Sequence, residues 1–266
     1  MKTVTSKDGT TIAFDLFGKG PALILVGGMF EQRAWDSETA KLAKFPLLAK
    51  HFTVYHYDRR GRGDSADTLP YAVEREIEDI EALINEAGGS AFLWGISSGA
   101  ALALESAIKL GSKIKKLALY EPPYNDDETA RQAWKEFRTE LNQALAEGRR
   151  GDAVGLFMML LGMPAEHLEG MHQDPMWPMW EAIAPTIAYD AAALGEDASV
   201  PTHRAARLAV PALVMDGGAT EWPFMHITAM ALANAIPNAQ HRTLEGQTHE
   251  VAAEALAPVL IEFFTS

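Results

Sequence analysis

The chain of 266 residues contains no cysteine. That absence excludes disulfides, thiolate zinc sites and a cysteine nucleophile together. It also lacks any apolar run near the roughly 18 residues that a membrane-spanning helix needs. The opening Met1-Lys2-Thr3-Val4-Thr5-Ser6-Lys7-Asp8-Gly9 has neither the apolar stretch nor the small-residue cleavage site of a secretory signal, so a cytoplasmic location is expected. Basic residues are scarce, with 23 Lys and Arg against 36 Asp and Glu, giving a formal net charge of −13. Nucleic-acid binding rests on clustered cations, so this balance speaks against it, and mildly against anionic membranes. Repeats and low-complexity tracts are absent too.

What is present is an ordinary globular composition, 48% hydrophobic and 22% charged, on a chain long enough for one large domain with an insertion. Short apolar runs alternate with helical patterns, the signature of a parallel sheet covered by helices on both faces. Thr11–Phe17 reads as an early strand, followed by buried-type runs at Ala22–Val26, Phe52–Tyr57 and Ala91–Trp94, then Ile114–Tyr120, Val210–Met215 and His241–Leu244. The clearest helix begins at Val73, where residues 73, 77, 80 and 84 share one face, and Gly88-Gly89 ends it. Further helices are expected over Phe224–Ala235 and Val251–Phe264. The stretch between the strands at 114–120 and 210–215 has no strand character and is broken repeatedly by Gly and Pro. That length exceeds a loop, so residues 124–205 are expected to form a helical lid inserted into a core of 1–123 and 206–266.

Gly95-Ile96-Ser97-Ser98-Gly99 follows the apolar strand Ala91–Trp94 and precedes the alanine- and leucine-rich Ala100-Ala101-Leu102-Ala103-Leu104. A nucleophile elbow needs that strand–turn–helix context, with small residues two positions either side of the serine so that strand and helix can approach. The symmetry of Gly95 and Gly99 selects Ser97, and Ser98 would then offer its backbone N–H to an oxyanion. A serine needs a base. Leu244-Glu245-Gly246-Gln247-Thr248-His249 presents one late in the chain, between the last strand and the last helix. The remaining histidines, at 51, 56, 167, 172, 203, 226 and 241, fall on expected helices, strands or the lid and carry no catalytic signal.

Taken together these residues resemble the α/β-hydrolase family over nearly the whole chain. Val26-Gly27-Gly28-Met29 stands where the family has a His-Gly turn, Trp35 follows at a familiar distance, and Asp58-Arg59-Arg60-Gly61-Arg62-Gly63-Asp64-Ser65 matches the stretch after the fourth strand. The resemblance implies a mostly parallel eight-stranded sheet and an oxyanion hole from the backbone N–H groups of Met29 and Ser98. It also implies that the arginine-rich stretch pairs within the fold rather than binding substrate. The sequence departs from the family at Gly27, in place of histidine, and at Thr220, which occupies the usual acid position after the seventh strand and cannot carry charge. Three carboxylates compete to complete the triad: Glu121, held by Pro122-Pro123 at the end of the sixth strand, Asp216 at the end of the seventh, and Glu221.

A serine nucleophile implies acyl transfer to water, hence cleavage of an ester, thioester or lactone. No metal or organic cofactor is implied. Phe157, Met158, Met159, Leu160, Leu161, Met163, Met171, Met176, Trp177, Met179 and Trp180 in the lid favour a small apolar substrate, since methionine fills irregular apolar surfaces. The competing readings are a carbon–carbon bond hydrolase or cofactor-free lyase on the same triad, and a non-catalytic ligand-binding protein, which the vacant acid position favours. The sequence leaves the oligomeric state open.

Overall fold

The computed structural model describes residues 1–34 and 46–266; Trp35 lies outside them. Eight strands build one sheet: β1 (Lys2–Thr5), β2 (Thr11–Phe17), β3 (Ala22–Val26), β4 (Thr53–Tyr57), β5 (Ala91–Ile96), β6 (Ile114–Tyr120), β7 (Ala212–Gly217) and β8 (Ala239–Leu244). Their spatial order is β1-β2-β4-β3-β5-β6-β7-β8. The β1–β2 and β2–β4 pairs are antiparallel and all others parallel. The fold is therefore the mostly parallel eight-stranded α/β sheet that the family resemblance implies. Sequence patterning misses β1, whose Lys-Thr-Val-Thr run is short and largely exposed.

The central strands bury both faces, and their side chains divide between two cores at period two. Ala22, Ile24 and Val26 of β3 enter one core while Leu23 and Leu25 enter the other. In β7, Ala212 and Val214 share the first core and Leu213 and Met215 the second. The first core lies under α1 (Val73–Glu86) and α2 (Ser98–Leu110), whose Ala100, Ala101, Ala103 and Ala107 let the helix settle close on the sheet. The Gly89 N–H closes α1 onto the Ile84 carbonyl at 2.9 Å.

Between β6 and β7 the chain forms α3 (Glu128–Ala146), α4 (Arg150–Leu160), α5 (Ala165–Met171), α6 (Trp177–Ile183), α7 (Ile187–Leu194) and α8 (Thr202–Ala205). Trp134, Phe137 and Leu141 of α3, Val154 of α4, Trp177 of α6 and Ile187 of α7 join the first core. After β7 come α9 (Phe224–Ala235) and, beyond β8, α10 (Ala253–Thr265), which covers the second core. No helix among the described residues is long and apolar enough to cross a membrane.

The arginines after β4 tie these layers together. Arg59 donates from Nε and Nη2 to Glu76 of α1 at 2.7 and 2.8 Å, and from Nη1 to Asp190 of α7. Arg62 donates from Nη2 to the other oxygen of Asp190, from Nε to Thr186 at 3.1 Å, and from Nη1 to the Gly28 carbonyl at 2.6 Å. All four charged side chains are 2% exposed or less. Arg60 is held likewise by Asp79 of α1, at 2.7 and 2.8 Å, and by Asp8 at 2.9 Å. The three arginines thus pair inside the fold and present no anion site.

Burial alone would raise the Asp190 carboxyl, but Arg59 and Arg62 outweigh it and hold the group below the usual carboxylate range. As pH falls the unfolded chain therefore takes up this proton before the native protein does. The stabilisation is complete above the ordinary carboxylate value of about 3.9 and disappears as pH drops through the lower native value. Removing one member of a buried pair strands the other, so Asp190→Asn is expected to lower unfolding free energy at neutral pH by about 3–5 kcal/mol. Urea denaturation measures this, and the gap between variant and wild type should narrow below about pH 4.

Candidate active site

Ser97 caps α2 with φ 55° and ψ −133°, a region that side chains other than glycine's rarely occupy. Close approach imposes this turn. A methyl group at Gly95 would lie 2.6 Å from the Gly99 carbonyl oxygen and 2.8 Å from Ala103 Cβ, and one at Gly99 would lie 2.4 Å from the Val26 and Gly27 carbonyl oxygens. Any side chain at either position would push the helix off the strand. The Ser97 N–H donates to the Tyr120 carbonyl at 3.0 Å, which fixes the elbow to β6. Ser98 opens α2, so its N–H is among those without an intrahelical acceptor.

Glu121 follows β6 directly and is fully buried. Its backbone also takes a positive φ of 45°, and its N–H donates to the Met215 carbonyl at 2.9 Å. One carboxylate oxygen accepts the Gly217 N–H at 2.9 Å, and the other lies 2.6 Å from Nδ1 of His249. The histidine loop is laced to both neighbouring strands: the Tyr120 hydroxyl donates to the Thr248 carbonyl at 2.5 Å, and the Ala219 N–H to the Gln247 carbonyl at 2.8 Å. Trp222 packs edge-on against the His249 ring, with centroids 5.4 Å apart. With Nδ1 engaged by Glu121, Nε2 is the nitrogen left for an incoming proton, the tautomer that general-base activation of a hydroxyl requires.

The other two carboxylate candidates stand elsewhere. Asp216 is buried, but its carboxylate meets His226 and His241, and Glu221 is exposed. The hydroxyl of Thr220, at the family's usual acid position, is buried and finds no hydrogen-bond partner among the described residues. The loop after β3 places Glu31 over Gly27, where the family has histidine. Glu31 folds back to accept the Gly28 N–H at 3.1 Å, and a methyl group at Gly27 would lie 2.7 Å from that carboxylate. The Gly28 carbonyl is held by Arg62 at 2.6 Å, so the loop carrying Met29 is braced on both sides.

Ser97, Ser98, Met29 and His249 all line one cavity of about 950 Å³. Its walls are mainly apolar, with Phe30, Trp134, Phe157, Met158, Leu160 and Trp222 among them. The charged residues on its walls are Glu31, Asp197 and Glu250, with no Lys or Arg among the described residues. Of the lid residues expected to build an apolar pocket, Phe157, Met158, Leu160 and Leu161 line this cavity, while Met159, Met163, Met171, Met176, Trp177, Met179 and Trp180 are not among its lining residues. A second, more polar cleft of about 610 Å³ lies between β1 and α1 and contains none of the candidate residues.

Sequence reasoning gave no signal for His226 and His241 beside Asp216, because only the pairing of β7 with β8 and the start of α9 bring them together. The pattern of β8 alone could have placed His241 and Thr243 on one face.

Comparison with known proteins follows the same lines. The chain is 52% identical to an alpha/beta hydrolase from Sphaerobacter thermophilus DSM 20745, with 99% of this chain and 100% of that one covered at a TM-score of 0.85. It is 22% identical to the enol-lactonase from Burkholderia xenovorans LB400, with both chains fully covered and a TM-score of 0.67. Over 122 residues it is 30% identical to YraK, an uncharacterised hydrolase of Bacillus subtilis (strain 168); that match spans 43% of this chain and 42% of the relative's length. The model of the Alpha/beta hydrolase family matches residues 22–258, which take in six of the eight strands, β3 to β8, and the helices α1 to α9, and the chain belongs to that family.

Proposed function

We propose that the protein is a serine hydrolase that cleaves a small, apolar, uncharged ester, thioester or lactone through an acyl-enzyme on Ser97. The observation that carries this reading is the contact of 2.6 Å between Glu121 and His249 Nδ1, on the wall of the cavity that also receives Ser97. Ser97 Oγ attacks the carbonyl carbon and His249 Nε2 takes its proton. Glu121 holds the ring and stabilises the imidazolium without itself being protonated. The tetrahedral oxyanion forms against the N–H groups of Met29 and Ser98, where each preorganised donor can lower the barrier by about 3 kcal/mol. His249 then passes its proton to the leaving oxygen or sulfur, and water repeats the sequence to release the acid.

The helices over the cavity, residues 124–205, act in this reading as a lid that supplies apolar contacts to the acyl or alcohol group. The vacant position at Thr220 was the one feature favouring a non-catalytic protein. In this reading Glu121, from another strand, is the partner of His249, which weakens that ground. The enol-lactonase and a thermophilic esterase from Thermogutta terrifontis, 21% identical, are examples of carboxylic ester chemistry on this fold.

A fluorophosphonate is expected to label Ser97 stoichiometrically, as read by peptide mass spectrometry, and His249→Ala should abolish the adduct. An unlabelled, folded wild type would defeat the proposal. Glu121→Gln should lower kcat by on the order of 10⁴-fold, since the histidine loses the partner that sets its tautomer. If Asp216→Asn were the more damaging change, the acid role would pass to Asp216. Arg131 pairs with Asp197, but Glu31 and Glu250 still leave acidic charge on the cavity wall, so kcat/KM for a neutral acyl ester should exceed that for its ω-carboxylate analogue by about threefold or more.

A further inference from the structure

Four of the buried carboxylates face an arginine, whereas Glu121 and Asp216 face histidines, and Asp216 faces two of them. Asp58, Glu76, Asp79 and Asp190 each face an arginine, and Glu121 has His249 and a backbone N–H. Asp216 is 1% exposed, and among the described residues no Lys or Arg pairs with it. Instead Oδ2 lies 2.9 Å from Nδ1 of His226, and Oδ1 lies 2.5 Å from Nε2 of His241. The Thr243 hydroxyl reaches the same carboxylate at 3.2 and 3.3 Å. Each imidazole gives Asp216 a hydrogen-bonding contact, but no permanently charged side chain faces it among the described residues.

The geometry supplies what a cation would need. One ligand atom from each of Asp216, His226 and His241 falls within 4.8 Å of the others. The residues come from β7, α9 and β8, and the pairing Val214↔His241, Asp216↔Thr243 puts His241 and Thr243 beside Asp216 on one face. Two imidazoles and one carboxylate suit first-row divalent ions rather than calcium or magnesium. Thr243 is the outer hydrogen-bond partner that such a ligating carboxylate ordinarily has. His226, 47% exposed, leaves the site open to an incoming ion and to water as a further ligand.

We propose that Asp216, His226 and His241 form a site for one divalent first-row transition ion of the zinc class. Each imidazole would coordinate through the nitrogen now facing Asp216, its single proton moving to the other ring nitrogen. The ion would clamp α9 to the β7–β8 edge. It would also stiffen the strand end whose next residue, Gly217, donates to Glu121, and the helix whose Phe224 and Met225 line the cavity. The site does not depend on the reaction proposed above.

Untagged protein stripped with a chelator and titrated with Zn²⁺ by calorimetry should bind one ion per chain, and Co²⁺ should give visible d–d absorption. His226→Ala and His241→Ala should each weaken Zn²⁺ binding by about tenfold or more, and Zn²⁺ should raise the Tm of wild type but not of His226→Ala. His226 is half exposed, so that variant should fold, which circular dichroism checks, and it decides the matter alone if His241→Ala does not. No stoichiometric binding, or binding that persists in His226→Ala, overturns the proposal.

Discussion

Two buried guanidinium groups organise this molecule. Arg59 and Arg62 leave the end of β4 and reach α1 through Glu76, α7 through Asp190, and the loop after β3 through the Gly28 carbonyl. Charges with almost no exposure are tolerated only when every donor finds an acceptor, and that demand couples elements far apart in sequence. Asp190 comes from the helices between β6 and β7, so their attachment and the position of the candidate oxyanion loop rest on the same ions. A change in one is felt by the other.

The elbow imposes a different kind of constraint, one of space. Ser97 sits where strand and helix meet with no room for a side chain at Gly95 or Gly99, and its own backbone accepts strain in return for exposure to the cavity. Glu121 occupies a positive φ on the neighbouring strand end, so the nucleophile and acid of the proposed triad both stand on unfavourable backbone held by the ladder between β5 and β6. Such strain persists only where surrounding contacts over-determine it.

Much of this was legible in advance because it follows period and spacing. Apolar strands buried on both faces, the α1 face at 73, 77, 80 and 84, and Gly-x-Ser-x-Gly between strand and helix are local signals, and local signals survive in a single chain. Non-local pairing does not. Glu76 and Asp79 read as ordinary charges on a helix until Arg59 and Arg60 meet them. Glu121, Asp216 and Glu221 could not be separated because the choice depends on which strand end faces the histidine loop. His226 and His241 carried no signal, since α9 and β8 converge on Asp216 only through the sheet register. That Glu31 folds over Gly27 was likewise invisible in the sequence, since nothing local marks the contact.

Glu121 has one consequence beyond chemistry. In the proposed triad, nucleophile and acid stand at the ends of adjacent strands whose residues pair directly, Ile96 against Tyr120. Their separation is set by a single backbone ladder rather than by a loop of variable length. The segment after β7, including Thr220, Glu221 and Trp222, is relieved of delivering a carboxylate. Insertions and substitutions there can reshape the cavity wall while leaving the spacing of the reactive groups intact, so the arrangement separates what must be inherited unchanged from what is free to diverge.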